Sequence, residues 1–287
     1  MFLRVTHHTR YDYSSPVTFA PHALYLRPRE TPRQHLHSFS LSVSPAARRI
    51  PTGDAEDNAL EWAYFSADTF ASVLEIHSEF LVETHDTNPF DFFLLPAALH
   101  FPFAYDDTER HALAPCLILP RGSEESQLRA WLAQHLPAPP PDTIGYLSAL
   151  NTAVRRTLAY RRRDEPGIQT PTETLALGGG SCRDYAVLLA ALCRTLGLAA
   201  RFVSGYLHEP PSPDIPHPLP PAMHAWTEVY LPGAGWRGLD STRGIWCDDS
   251  FIPVAHAALA ESVNPIQGGF YGQATSLLSS HLTLEKL

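Results

Sequence analysis

Residues 178–197 read GGGSCRDYAVLLAALCRTLG, a glycine-rich loop that leads directly into an apolar segment. Alanine, leucine and valine dominate from Cys182 to Leu196, and Gly197 suits the left-handed conformation that ends many helices. We therefore predict a helix over 182–196 with a cysteine in its first turn. Unpaired N–H groups and the positive end of the helix dipole favour a thiolate there, and the glycines let a substrate approach the backbone.

The other three cysteines lack this setting. Cys193 lies within the same apolar segment, so we interpret it as a buried and inert thiol. Cys116 and Cys247 have neither a glycine-rich loop nor a helix start beside them, which favours structural roles. Four cysteines in a chain of 287 residues do not form a disulfide framework, and we expect free thiols in a reducing compartment.

A hairpin pattern further along the chain brings a histidine near an aspartate. The segments HAWTEVYL and WRGLD, separated by PGAG, indicate two antiparallel strands over 224–240. If Tyr230 pairs with Trp236, period-two alternation puts His224 on the same face as Asp240 and one diagonal step away. The alternation of side chains along the two strands therefore permits a hydrogen bond between His224 and Asp240.

A thiol, an imidazole and a carboxylate in this arrangement make a nucleophilic triad. We predict Cys182 as the nucleophile, His224 as the base and Asp240 as the group that orients the base. The chemistry is attack on an acyl carbonyl to give a thioester, and the backbone N–H of Cys182 is a natural first donor to the oxyanion. A metal site on the same residues lacks support because no CxxC, HxH or HExxH spacing is present, and we expect neither a metal nor a cofactor.

The first part of the chain carries strand patterns. Residues 1–85 read as several short strands separated by proline, glycine and aspartate turns, which is typical of a β-sandwich. One strand pattern contains a one-residue slip between Leu36 and Phe39, and another ends at a turn signal at residues 14–16. No nucleophile and base pair is recognisable in this region.

The rest of the chain divides into a connector and a second domain. Residues 86–122 have mixed character, and we assign 123–287 to one catalytic domain in which helices starting near 123 and 143 precede the strands. The predicted fold class is α+β, with an N-terminal β-sandwich followed by a catalytic core.

Composition excludes several classes of protein. The net charge of −9 and the pI near 5.9 argue against a nucleic-acid binder, and we interpret the basic run 161–163 as a solvated loop or helix end. The chain starts without a basic stretch followed by an apolar one, and the apolar run 186–192 is too short to span a bilayer. We therefore expect a cytoplasmic protein that contacts no membrane.

Four ordered motifs resemble the core of the bacterial transglutaminase-like superfamily, whose members are described as cysteine proteases. These motifs are GSCRDYA (180–186), VSGYL (203–207), HAWTEVY (224–230) and GWRGLDST (235–242). The N-terminal stretches TRYDY (9–13) and LRPR (26–29) resemble the β-sandwich domain that precedes this core in the family. The resemblance runs over most of the chain.

The resemblance implies a papain-like fold, in which a helix that begins at the cysteine packs on an antiparallel sheet that carries the histidine and the aspartate. The family's nucleophile, base and orienting acid fall on Cys182, His224 and Asp240. Two positions depart from the family pattern: Met223 stands where a small or polar residue usually precedes the histidine, and Ser241 stands where proline usually follows the aspartate. Neither position supplies a catalytic group, so these departures affect the shape of the substrate pocket and leave the triad unchanged.

Three functions fit these residues. The leading hypothesis is a hydrolase of the peptidase or amidase type that acts on a peptide or a small amide. The same acyl-enzyme could instead react with an amine, which is transamidation, and a non-catalytic binding protein could retain the fold. We assign Arg183 and Asp184 structural roles at the helix start, and we expect the proline-rich stretch 207–223 to border the site as a semi-rigid lid.

Overall fold

The computed structural model describes residues 1–85, 87–119, 122–138, 140–163, 167–209 and 221–287. The helices are α1 (Asp107–Ala112), α2 (Ser123–His135), α3 (Thr143–Thr157), α4 (Pro171–Leu177) and α5 (Cys182–Thr195). The strands are β1 (Phe2–Phe19), β2 (His22–Leu24), β3 (Gln34–Ser44), β4 (Arg48–Gly53), β5 (Ala59–Tyr64), β6 (Ala71–Thr84), β7 (Ala159–Tyr160), β8 (Gly179–Gly180), β9 (Ala200–Leu207), β10 (Met223–Leu231), β11 (Gly235–Asp240), β12 (Ile245–Trp246), β13 (Phe251–Ala257), β14 (Ile266–Gln267), β15 (Phe270–Tyr271) and β16 (Ser276–Lys286).

Two antiparallel sheets form the N-terminal sandwich. One has the order β15-β1-β6-β3, with β16 also paired to β1, and the other has the order β14-β2-β5-β4. Apolar side chains from both sheets meet in one buried cluster that includes Val17, Leu24, Leu41, Ala63 and Ile76. The predicted β-sandwich is thereby confirmed. The turn signal at 14–16 does not end β1, because the strand continues past it with a shift in register between Asp12 and Val17.

The second sheet system is a five-stranded antiparallel sheet with the order β12-β11-β10-β9-β13. Helix α5 packs against β10 and β9, and its apolar face shares a buried cluster with Val229 and Leu239 of the sheet. The hydroxyl of Thr227 donates a hydrogen bond of 2.8 Å to the backbone carbonyl of Ala186, which fixes the helix on the sheet. The predicted α+β fold, with a cysteine helix on an antiparallel sheet, is confirmed.

The end of the chain returns to the beginning. Strand β14 pairs with β2, while β15 and β16 pair with β1, so the last strands lie in the two sheets of the sandwich. The domain boundaries 1–85, 86–122 and 123–287 stay a prediction. The structure shows in addition that strands from the end of the third segment pair with strands of the first segment. Within 86–122, Phe92 and Phe103 pack against the buried cluster around α5. None of the helices in the described ranges is long and apolar enough to cross a membrane.

Candidate active site

The loop before α5 is shaped by two glycines. Residues Gly179 and Gly180 pair in parallel with Ala159 and Tyr160, and a Cβ atom on Gly179 would lie 2.1 Å from the backbone oxygen of Ala159. A Cβ atom on Gly180 would lie 2.7 Å from the Cβ of Asp184. Only glycine fits at these contacts, so the loop can pass close beneath the first turn of the helix.

Asp184 organises that first turn. Its fully buried carboxylate accepts hydrogen bonds from the backbone N–H of Ser181 at 2.7 Å and of Gln169 at 2.8 Å, and it forms a salt bridge with Arg163 at 2.8 Å. Burial raises the pKa of this carboxyl, but Arg163 and the donated N–H groups outweigh it and hold the pKa below its ordinary value. These contacts provide the structural role that the sequence predicts for Asp184, and they position Cys182 at the start of α5.

His224 and Asp240 meet through the predicted hairpin. Tyr230 lies opposite Trp236 and Glu228 lies opposite Gly238, which is the register expected to place His224 and Asp240 on the same face. The Nε2 atom of His224 lies 2.9 Å from Oδ2 of Asp240. The structure therefore brings together the histidine and the aspartate that the sequence selects.

Asp240 is held on its other oxygen by a turn. The backbone N–H and the hydroxyl of Thr242 both donate to Oδ1, at 2.9 Å and 2.7 Å. Asn151 of α3 donates a hydrogen bond of 2.9 Å to the backbone oxygen of Ile245, which ties this turn to the helix. Burial raises the pKa of the Asp240 carboxyl, but His224 and Thr242 lower it below its ordinary value, so the group is an anion at neutral pH.

The imidazole of His224 also forms a hydrogen bond with the side chain of Cys182. Because Nε2 faces Asp240, Nδ1 is the ring nitrogen left for the thiol. Burial lowers the pKa of His224, but the charge of Asp240 and the hydrogen bonds to Asp240 and Cys182 outweigh it and raise the pKa to about 10. The three side chains selected from the sequence thus form one connected chain of hydrogen bonds.

Aromatic rings support the imidazole. The rings of Trp226 and Phe251 have their centroids 6.3 Å and 6.2 Å from that of His224. Gly205 on β9 makes room for this packing, because a Cβ atom there would lie 2.6 Å from Cη2 of Trp226 and 2.2 Å from the backbone oxygen of Ile252. The glycine and the tryptophan lie within motifs noted in the sequence, but their supporting contacts depend on strand pairing that the sequence does not display.

The remaining cysteines differ from Cys182. All four thiols are free, as the sequence predicts. Cys193 is fully buried in the core, and burial raises the pKa of its thiol to about 12. Cys116 is also buried, with a raised pKa, and desolvation raises the pKa of the partly exposed Cys247 well above its ordinary value. None of these three side chains makes a hydrogen bond with His224 in the part of the chain that the structure describes.

A cavity of about 880 Å³ opens beside Cys182 and His224. Its lining includes Tyr160, Ser204 and Thr242, as well as residues from both ends of the predicted lid. Residues 210–220 of that lid lie outside the described residues. Among the described residues, no group of three histidine, cysteine, aspartate or glutamate side chains is placed to hold a metal ion.

Comparison with known proteins agrees with this architecture. Residues 131–241 match the transglutaminase-like superfamily, and residues 3–83 match the bacterial transglutaminase-like N-terminal region. The uncharacterized protein Rv2569c of Mycobacterium tuberculosis is 30% identical over 277 residues, which cover 93% of this chain and 87% of that protein. The uncharacterized protein ML0607 of Mycobacterium leprae is 24% identical over 286 residues, covering 99% of each chain.

One solved structure shares the fold over nearly the whole length. The protein from Cytophaga hutchinsonii named "Putative Cysteine Protease" superposes with a TM-score of 0.73 at 19% identity, covering 99% of this chain and 90% of that chain. This likeness extends through both the sandwich and the core, so the order of the two parts is common to both proteins.

Proposed function

Because the chain belongs to the transglutaminase-like superfamily, we propose that it is a thiol-dependent acyl-transfer enzyme that hydrolyses amide or peptide bonds. The observation that carries the proposal is the hydrogen-bonded series in which Asp240 contacts His224 at 2.9 Å and His224 contacts Cys182. A thiol at a helix start, next to an imidazole that a buried carboxylate orients, is the arrangement that nucleophilic acyl transfer requires.

The proposed first half-reaction forms a thioester. In the reactive form that we propose, Cys182 is a thiolate stabilised by His224, whose pKa of about 10 keeps the imidazole protonated at neutral pH. The sulfur attacks the carbonyl carbon, and the carbonyl electron pair moves to oxygen, where the backbone N–H of Cys182 at the start of α5 is available as a donor. When the carbonyl re-forms, the C–N bond breaks and the departing nitrogen takes the proton from His224.

The second half-reaction releases the acyl group. His224 accepts a proton from water as the water oxygen attacks the thioester, and collapse of this intermediate breaks the C–S bond to give an acid and the restored thiolate. Asp240 transfers no proton in this scheme. Its buried negative charge keeps the ring in one orientation and stabilises the imidazolium throughout the cycle.

The test is a panel of esters and amides incubated with and without an added primary amine. Acyl-enzyme formation is followed by intact-protein mass spectrometry, and the products are scored as acid or as amide. We expect an acyl adduct and acid product with the unmodified protein, no adduct with Cys182→Ala, and an adduct with the matched control Cys247→Ala. Turnover by Cys182→Ala at the original rate would refute the proposal, whereas amide product in the presence of amine would identify transamidation.

A further inference from the structure

The last strand of the chain, β16, lies at an edge of a sandwich sheet. It pairs with β1 along one side, in an unbroken antiparallel register from Leu3↔Lys286 to Tyr13↔Ser276. Among the described residues, no strand pairs with its other side. An edge strand of this kind presents a row of main-chain N–H and C=O groups that can pair with another extended chain.

The main-chain groups at this free edge follow from the hydrogen bonds on the paired side. At one end of the strand, the N–H of Leu287 donates to the oxygen of Phe2 at 3.0 Å. At the other end, the N–H of Ser14 donates to the oxygen of Thr275 at 3.0 Å. Odd-numbered residues therefore aim their main-chain groups at β1. Because these groups alternate along an antiparallel ladder, the even-numbered residues 278, 280, 282 and 284 aim theirs away from β1.

The free edge borders the cavity that contains Cys182. Leu278 and Leu284 of β16 both line this cavity, and residues 278–284 span roughly 20 Å of extended chain. Cys182 and Leu284 also pack against the same apolar cluster, to which Leu282 belongs. The edge therefore runs alongside the proposed nucleophile.

The side chains of the same even-numbered residues face the catalytic core. Leu282 is buried in the shared cluster, and Oγ of Ser280 lies 2.9 Å from Nε2 of His7 at the boundary between sandwich and core. Side chains of neighbouring strands that lie opposite each other share a face of the sheet. A chain that paired with this edge would therefore point every second side chain toward the core and the cavity.

The sequence of β16 does nothing to block such pairing. Edge strands are commonly protected by prolines, charged side chains or bulges. The edge strand β4 carries two arginines and a proline, and the edge strand β3 contains a register shift between Leu36 and Ser38. From Ser276 to Leu284 the sequence SLLSSHLTL contains no proline, lysine, arginine, aspartate or glutamate, and its register has no shift. Of these three edges, β16 is the one that remains open.

We propose that β16 binds the substrate as an extended peptide, which adds to the free edge as a further strand and brings its scissile amide to Cys182. Main-chain hydrogen bonds to β16 supply affinity, and the alternate side chains that point into the cavity supply selectivity. The substrate is then a peptide or an unfolded protein segment of several residues, and not a small amide. This inference rests on the proposed function, because it names the substrate class of the same site.

The test uses thiol-reactive peptides and the full chain. N-acetyl peptides of one, three and six alternating valine and threonine residues carry a C-terminal chloromethyl ketone, which alkylates a thiolate by displacement of chloride and requires no hydrolysis. Peptide mapping by mass spectrometry identifies Cys182 as the labelled residue. We expect the second-order rate constant to rise by roughly tenfold from the shortest to the longest probe, because each paired residue adds main-chain hydrogen bonds. A rate that does not depend on length would overturn the proposal.

Methylation of one main-chain nitrogen of the longest probe at a time separates strand pairing from apolar contact. Each methyl group removes one N–H donor and leaves the side chains unchanged. We expect methylation at alternate positions to abolish most of the gain in rate and methylation at the positions between them to preserve it, because every second residue of an added strand pairs with the edge. A gain that survives methylation at every position would contradict strand pairing.

A variant of the protein assigns this pairing to β16. Leu278→Pro removes an N–H that points away from β1, so the pairing with β1 is kept. The matched control Leu278→Ala removes the side chain and keeps the N–H. We expect the gain with probe length to fall several-fold in Leu278→Pro and to be largely retained in Leu278→Ala, and an equal gain in both variants would overturn the proposal. If Leu278→Pro does not fold, the methylation series on the unmodified protein decides.

Two further outcomes separate this inference from its alternatives. Self-association that Leu278→Pro abolishes, together with a rate that does not depend on probe length, would assign the edge to a second copy of the chain and overturn the proposal. The alternating pattern without turnover of any peptide amide would support docking on β16 and sink the proposed function. Turnover of single-residue amides as fast as hexapeptide amides would sink the substrate class and leave the proposed function intact.

Discussion

The two oxygens of Asp240 have separate tasks. Oδ2 lies 2.9 Å from His224, and Oδ1 accepts two hydrogen bonds from Thr242, so the carboxylate cannot rotate without breaking several contacts. The residue is fully buried, and its negative charge is stabilised by these donors and by the imidazolium. Orientation of the imidazole therefore depends on both the charge and the fixed direction of one side chain.

The first prediction concerns Asp240→Asn. Asparagine keeps the size of the side chain, but it removes the charge and can present an N–H where the ring of His224 requires an acceptor. We expect turnover to fall by about 10²–10⁴-fold with little change in the melting temperature. The matched control Thr242→Val removes one donor and leaves the backbone N–H in place, so its loss should be on the order of tenfold. An unchanged rate in Asp240→Asn would mean that another group orients His224.

The second prediction is a pH dependence of stability. The pKa of His224 is raised from 6.5 to about 10 in the folded protein, so its contribution to stability is fully present below pH 6.5 and is lost as the pH rises through about 10. We expect the difference in unfolding free energy between the unmodified protein and His224→Gln to be largest near pH 6 and to shrink toward pH 10. Denaturant unfolding of both proteins at matched pH values measures this difference, and a pH-independent difference would contradict the raised pKa.

At this scale the sequence predicts the triad and little of its surroundings. His224 and Asp240 could be paired because strand alternation has a period of two, and one register satisfies both residues. The cavity beside Cys182 could not be predicted, because its lining residues are spread from Arg155 to Leu284 and come together only when the helices and strands have packed. Thr242 directly follows Ser241, which the sequence analysis names, but the hydrogen bonds from Thr242 to Asp240 depend on the geometry of a turn.

At the scale of the element, the first turn of α5 depends on one buried carboxylate. Asp184 accepts hydrogen bonds from Ser181 at the helix start and from Gln169 and Arg163, which both lie between β7 and α4. Removing it breaks the ion pair with Arg163 and leaves two backbone N–H groups without this acceptor. Without these contacts we expect the first turn of the helix to become less ordered. The direction of the Cys182 side chain should then vary as well.

The third prediction is that Asp184→Ala destabilises the protein strongly. We expect a loss of about 3–5 kcal/mol in the free energy of unfolding, because the substitution breaks the ion pair of a fully buried carboxylate and removes the acceptor of two backbone N–H groups. The matched control is Glu124→Ala, which removes an acidic residue from the first turn of α2 and should cost less than about 1 kcal/mol. Denaturant titrations of both variants give these values. A loss in Asp184→Ala no larger than that of the control would show that the carboxylate is dispensable.

Elements with strong local signals are predicted well. The helix predicted over 182–196 is observed as Cys182–Thr195, and the one-residue slip in β3 appears as a register shift between Leu36 and Ser38. Helix α4 was not assigned from the sequence, although Thr170 and Glu173 form a capping box at its start. Its seven residues are too few for a hydrophobic period to stand out, so the available signals were the capping pair, Pro171 at the first position and Gly178 at the end.

At the scale of the whole molecule, β16 links the two parts of the fold. It pairs with β1 from Leu3↔Lys286 to Tyr13↔Ser276, while its inner face contacts the catalytic core. Ser280 of β16 lies 2.9 Å from Nε2 of His7, and Nδ1 of the same histidine lies 3.0 Å from the hydroxyl of Tyr206 on β9. The pairing of β16 with β1 could not be predicted from the sequence, because pairing across more than 260 residues leaves no local pattern.

One buried cluster also spans both parts. Leu3, Val5 and Phe80 of the sandwich pack with Tyr206 and Ile252 of the core sheet, and Leu282 of β16 belongs to the same cluster. An apolar cluster shared in this way couples the stability of the sandwich to that of the core, because unfolding of either part exposes the apolar surface of the other. Two leucines of β16 allow this coupling to be tested: Leu282 is 5% exposed, and Leu277 is 70% exposed.

The last prediction is that Leu282→Ala destabilises the whole molecule by about 2–5 kcal/mol, because it opens a cavity in the shared cluster, whereas Leu277→Ala changes the free energy of unfolding by less than about 0.5 kcal/mol. Both substitutions remove the same atoms from the same strand, so the comparison isolates burial. Unfolding is followed by tryptophan fluorescence in variants that retain only Trp62 in the sandwich or only Trp246 in the core. We expect the two probes to report coincident transitions that Leu282→Ala shifts together. A shift seen by Trp62 alone would mean that the sandwich unfolds independently and that β16 does not couple it to the site.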